Sequence, residues 1–145
     1  MNPPIYIIDG ARTPFLKARN APGPFAAGDL ATAAGSALLA RQRFAPEQLD
    51  EVILGCAGPD AREANVARVA ALRAGLPESK PSMTVHRNCA SGLEAITLAH
   101  AKMCAGQGEV FVVGGTESMS NMPFYFSRPA VEKFTAMNRA RDFTG

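Results

Sequence analysis

"PSMTVHRNCASGLEAITLAHAKMCAGQGEVFVVGG" occupies residues 81–115. Two short apolar runs, PSMTVHR (81–87) and EVFVVGG (109–115), flank one long helical pattern. The first run alternates Met83, Val85 and Arg87 with Thr84 and His86, a period of two that marks a strand. The second is rich in β-branched and aromatic residues and reads as a buried strand. Between them a helix is expected from about Cys89 to Ala105, stopping at Gly106. Its Leu93, Ala95, Ile96, Leu98, Ala99, Ala101, Met103 and Cys104 make it apolar nearly all round, which predicts burial on most sides.

The same alternation extends outward. PIYIID (4–9) reads as a buried strand, and the proline-rich stretch 11–28 as a long loop. Asp29 is the expected N-cap of a helix over 30–43, where Leu30, Ala34, Ala37 and Leu38 form one stripe. EVILGC (51–56) is a further buried strand. NVARVAALRAG (65–75) is a helix ending at Gly75 with Pro77 just beyond. After residue 115 no clear strand follows, and a basic helix is expected around 129–141 with Pro129 at its start. The order is β-α-β-α-β-α-β. The fold class is therefore α/β, with a mostly parallel sheet, helices on both faces and right-handed crossovers. Chemistry in such sheets gathers at the carboxyl ends of strands, where Cys89 falls.

Bulk properties narrow the function classes. A chain of 145 residues is about one domain and can bury a core without disulfides or metals. The formal net charge of +2 is scattered, which gives no support to nucleic-acid binding. Three cysteines without CxxC spacing argue against a disulfide framework and for a reducing, cytoplasmic setting. No leader-like segment or transmembrane stretch is expected.

Cys89 admits two readings. A thiolate is favoured over a thiol at a helix N-terminus, and Ala90, Ser91 and Gly92 are small enough to admit a substrate, as a covalent nucleophile needs. The alternative is an inert buried thiol. No base is evident. His100 lies eleven residues along the same helix, roughly 16 Å away along its axis, and His86 ends a strand whose orientation need not aim it at the thiol. His100 and Cys104 have a metal-compatible i, i+4 spacing but lack further ligands, so no metal site is expected. Glu117, in GGTESMS (114–120), reads as a carboxylate anchoring a turn, or else as a group lining a site. GxGxxG is absent after every strand, which weakens a dinucleotide-binding reading.

Several stretches occur together in order: YIIDGARTPF, DEVILGC, NVARVAALRAGLP, VHRNCASGLEAI and VVGGTESMSNMPF. From about Ile5 to Phe124 the chain resembles the N-terminal half of the thiolases, the acetyl-CoA acyltransferases. The resemblance implies one half of a layered αβαβα fold. Residues 1–125 would form a half-domain, and 126–145 the start of an inserted loop domain. It implies Cys89 as the nucleophile that carries an acyl group from an acyl-CoA to CoA, or to an acetyl-CoA carbanion in the reverse condensation. The expected role is in fatty-acid metabolism. CoA and acyl-CoA are substrates, and no cofactor is implied.

The family's activating histidine, its second cysteine, most oxyanion-hole groups and much of its CoA pocket lie beyond the matched half. The acid/base partners are thus expected outside residues 1–145, on a C-terminal half or a complementary chain, and this chain alone is expected to be inactive. Cys56 and Cys104 do not match the second cysteine. His86 stands where many members have an amide. The resemblance also implies a homo-oligomer, a dimer or tetramer, pairing near the 81–87 strand. A ketoacyl-synthase-like condensing enzyme and a non-catalytic scaffold or binding subunit of the same fold are the competing readings.

Overall fold

The computed structural model describes residues 4–19 and 21–139. Within these residues three parallel strands form one sheet: β1 (Glu51–Gly55), β2 (Ser82–Val85) and β3 (Phe111–Gly115), in the order β2-β1-β3. Ile53 is in register with Met83 on one side and Val113 on the other. Among the described residues four α-helices accompany them: α1 (Ala27–Leu39), α2 (Val66–Arg73), α3 (Ser91–Cys104) and α4 (Arg128–Arg139).

Strand periodicity sorts the core into two layers. Val52 and Leu54 face α1 and α2, packing with Ala67, Ala70, Ala71 and Leu76. Ile53 points the other way, onto Ala95 and Ala99 of α3, with Met83, Val85 and Val113 around it. Alternate residues of a strand project to opposite faces, so helices on both sides bury all five residues of β1. Full burial of Ile53 contributes about 2–3 kcal/mol. Glu51 is buried at the start of β1, and its carboxylate accepts from the Lys102 ammonium of α3 at 2.5 Å. That pairing offsets the cost of taking the charge out of water.

Local signals set the helix ends. The Asn65 side chain accepts from the Arg68 N–H and caps α2. Gly75 follows with φ +85°, a left-handed turn that glycine takes without a Cβ penalty. α1 starts three residues earlier than expected. Ala26 is its N-cap, and Asp29 sits inside the first turn with its carboxylate accepting from the Ala26 N–H at 2.9 Å. Asp29 thus supplies the back-reaching half of a capping box, and the same charge suits either position near a helix start. α4 begins at Arg128 with Pro129 in its first turn, as the sequence predicts, and the end of the expected helix lies outside the described residues.

Two expectations fail for one physical reason. Residues 4–9 pair with no described strand, and Tyr6, Ile7 and Ile8 are 75–87% exposed. The segment is held instead through Asp9, which accepts from Arg41 and Gln42 just after α1 at 2.7–3.0 Å. α3 is buried on one face only, with Leu93 63% and Ile96 41% exposed. Apolar composition states what would bury well. Burial itself needs a partner surface, and among the described residues none covers either feature.

Candidate active site

Cys89 lies between β2 and α3, two residues before the helix begins, and its residue is exposed. The structure therefore places it at the carboxyl end of the sheet, ahead of the α3 N-terminus and not within the core. The backbone reaches it through a tight reversal. Asn88 takes φ +48°, the left-handed region that asparagine enters more easily than most residues. The Ala90 N–H donates to the Arg87 carbonyl at 3.0 Å, and the Ser91 N–H to the Asn88 carbonyl at 3.1 Å. Ser91 is buried at the first position of α3. Its hydroxyl donates to the Asn88 carbonyl at 2.7 Å and accepts from the Arg87 N–H at 2.8 Å.

Glycines let this turn sit against the sheet. A Cβ on Gly55 would overlap the Ser91 carbonyl group and the Gly92 nitrogen, and one on Gly115 would lie 3.1 Å from the Gly92 Cα. The last residues of β1 and β3 are thus spaces that the start of α3 fills. Beside the turn, Arg87 and Glu94 form an ion pair at 2.6 Å, with Arg87 mostly exposed. Such a pair fixes geometry more than it stabilises.

The segment after β3 has a different task. Glu117 accepts from the Ala57 N–H at 2.7 Å and the Gly58 N–H at 3.1 Å, and from the Cys56 thiol at 3.5 Å. It ties the loop after β3 to the loop after β1, which is the turn-anchoring reading of GGTESMS. The Thr116 hydroxyl donates to the Ala27 carbonyl, and the Ser118 hydroxyl and Asn121 amide donate to the Phe25 carbonyl. Cys56 is 1% exposed, and burial, reinforced by the Glu117 charge, pushes its thiol up to about 11. Such a thiol is a poor nucleophile at neutral pH.

The other candidates remain apart from Cys89. His86 is exposed at the end of β2. The His100 Nε2 lies 3.8 Å from the Cys104 Sγ on α3, and among the described residues no third His, Cys, Asp or Glu joins them as a metal-binding group. An apolar cavity of about 130 Å³ lies between α1, α2 and the sheet, lined by Leu38, Leu39, Leu54, Ala70 and Val112 among others. Cys89 does not border it, so this space belongs to the packing of the helices. Sequence reading missed the Ser91 clamp and the Asn88 turn. An asparagine three residues before a serine at a helix start was the available signal.

Comparison with known proteins bears on the whole arrangement. The family model described as "Thiolase, N-terminal domain" matches residues 5–143. A β-ketoadipyl-CoA thiolase of Pseudomonas knackmussii is 42% identical over 132 residues, covering 88% of this chain and 32% of that protein. The 3-oxoadipyl-CoA/3-oxo-5,6-dehydrosuberyl-CoA thiolase of Escherichia coli K12 is 44% identical over 129 residues, covering 86% and 32%. The crystal structure of the Bacillus anthracis acetyl-CoA acetyltransferase superposes with a TM-score of 0.69 at 37% identity, covering 73% of this chain and 27% of that one. The chain thus spans about a third of the length of the curated relatives it matches. No described helix is long and apolar enough to cross a membrane. On sequence and fold together, the chain belongs to the thiolase family and corresponds to its N-terminal domain.

Proposed function

We propose that this chain supplies the acyl-carrying nucleophile of a thiolase reaction and that Cys89 is that nucleophile. The supporting observation is the exposed Cys89 at the turn into α3, at the carboxyl end of a parallel sheet, in a member of this family. In the degradative direction the Cys89 Sγ attacks the 3-keto carbon of a 3-ketoacyl-CoA. The C2–C3 bond breaks, and its electron pair leaves with acetyl-CoA as a carbanion that is then protonated. The acyl group remains on sulfur as a thioester. The thiolate of a second CoA attacks that carbonyl, forms acyl-CoA and returns Cys89. Condensation is the reverse, and either direction is a two-stage covalent transfer.

The proton-transfer groups lie outside residues 1–145. Among the described residues no side chain hydrogen-bonds to Cys89, and the described histidines sit at the end of β2 and on the far part of α3. A C-terminal half, whether on the same polypeptide or a complementary one, supplies them. Residues 126–145 begin the inserted loop domain, in keeping with an α4 that buries none of its residues. Among the described residues β2 pairs only with β1, and its other edge is the surface through which copies of the chain associate as a homo-oligomer.

The test is to supply residues 1–145 with the remaining thiolase portion and incubate with acetyl-CoA. Mass spectrometry should find one acetyl group on the peptide containing Cys89, and Cys89→Ala should abolish both the adduct and turnover. Residues 1–145 alone should show no turnover. An acetyl group elsewhere, turnover by Cys89→Ala, or robust cleavage by the isolated chain would refute the proposal.

A further inference from the structure

We propose that Ser91 is a positioning residue for Cys89, acting through the backbone of the turn that presents it; this rests on the nucleophile reading above. Cys89 makes no described side-chain hydrogen bond, so its place is set by the backbone on either side. Two residues control that backbone. Asn88 turns the chain with a φ of +48°, which costs any residue other than glycine some strain. Ser91, 4% exposed, spans the reversal with one hydroxyl. It receives the Arg87 N–H before Cys89 and gives its own proton to the Asn88 carbonyl. The Arg87 N–H is thereby satisfied by a side chain that has almost no solvent to exchange with, and the Asn88 carbonyl receives the hydroxyl in addition to the Ser91 N–H.

The clamp is itself seated. The Ser91 carbonyl group and the Gly92 nitrogen lie in the space left by the missing Gly55 side chain, and Gly92 lies against Gly115. Ser91 cannot drift without moving the start of α3 off the sheet. The chain of support therefore runs from β1 and β3 through Ser91 to the turn, and from the turn to the sulfur. A nucleophile must meet its carbonyl in a narrow geometry, and a misplacement of about 1 Å can cost on the order of 100-fold in rate. The buried residue three positions beyond the left-handed Asn88 thus sets how well the thiol is aimed.

The experiment uses the complete thiolase containing this sequence, with Cys89→Ala, Ser91→Ala, Asn88→Gly, Asn88→Val and Thr84→Val compared. Thr84→Val is the structural control. It also removes a hydroxyl with two hydrogen bonds, to the Ala67 N–H and the Asn65 side chain, but on the far side of β2. Ser91→Ala should lower kcat by roughly 10- to 100-fold with KM changed less than about threefold, while alkylation of Cys89 by small iodoacetamide, which needs no aim, slows less than about threefold. Thr84→Val should keep kcat within about twofold despite a comparable loss of thermal stability. Asn88→Gly, which takes the left-handed turn freely, should stay within about threefold of wild type, and Asn88→Val should fall at least about tenfold.

Wild-type kcat in Ser91→Ala alongside inactive Cys89→Ala overturns the positioning role and leaves the nucleophile standing. Turnover by Cys89→Ala overturns the underlying reading instead. Loss of turnover in Asn88→Gly also overturns the proposal, because the work would then belong to the Asn88 amide. If Ser91→Ala does not fold, the two Asn88 variants decide, and equal kcat values in them overturn it.

Discussion

Gly55→Ala is the most direct test of how the turn at Cys89 is seated. The added Cβ would meet the Ser91 carbonyl group and the Gly92 nitrogen at clashing distance. These are backbone atoms at a helix start, so no side chain can rotate away. Restoring van der Waals separation requires the start of α3 to retreat from β1 by roughly 1 Å. Overpacking of this kind costs about 1–3 kcal/mol, and more where the obstacle is rigid. At about 3–4 °C per kcal/mol for a chain of this size, Tm should fall by about 3–12 °C.

Gly114→Ala provides the internal comparison. Its Cβ would lie 3.6 Å from the Leu54 Cδ2, which is ordinary contact, so its Tm should stay within about 2 °C of wild type. Both glycines occupy parallel strands, and the two substitutions add the same methyl group. Differential scanning calorimetry of the three proteins gives the answer. Equal Tm values for Gly55→Ala and Gly114→Ala would show that α3 is not packed against Gly55 as described, and the support inferred for the Cys89 turn would fail with it.

Three further outcomes follow from single contacts. Iodoacetamide at pH 7 should label Cys89 first and Cys56 last, because burial raises the Cys56 thiol from 9.0 to about 11 and leaves it 1% exposed; that shift alone removes about 100-fold of its thiolate, and peptide mapping that finds Cys89 no faster than Cys56 and Cys104 would sink the ordering. Glu117→Ala leaves the Ala57 and Gly58 N–H groups without their acceptor and should cost about 1–3 kcal/mol in urea unfolding, with Glu117→Gln intermediate; an unchanged midpoint would exclude Glu117 as the tie between the two loops. Asp50 accepts from the Val110 and Glu109 N–H groups, which hold its carboxyl below the ordinary 3.8. Its contribution is complete above that ordinary value and is lost as pH falls through the lowered one. Asp50→Asn should therefore be less stable at neutral pH and lose less on acidification below about pH 4, and parallel stability–pH curves for the two proteins would contradict this.

Most of the element order is legible in the sequence. β1, β2, β3, α2 and α4 stand within a few residues of their expected places because each carries its own period or its own terminator. Gly75 and Asn65 illustrate this, since a left-handed terminus and a side-chain cap depend on only a few neighbouring residues. The turn at Cys89 was less legible. Its parts are local, but a serine hydroxyl at a helix start has several possible partners. Only the seating of α3 on Gly55 and Gly115 selects the Arg87 and Asn88 backbone.

By itself, then, the sequence determined three strands and most helices, their parallel arrangement and the family, through patterns spanning ten or twenty residues and motifs in a set order. It also singled out Cys89. The tertiary structure alone decided that residues 4–9 pair with no described strand, that α3 buries one face among the described residues, and that Glu117 ties together loops some 60 residues apart. Those outcomes depend on which surfaces meet. Periodicity reports what a segment can bury, and burial is settled only by the partner that arrives to cover it.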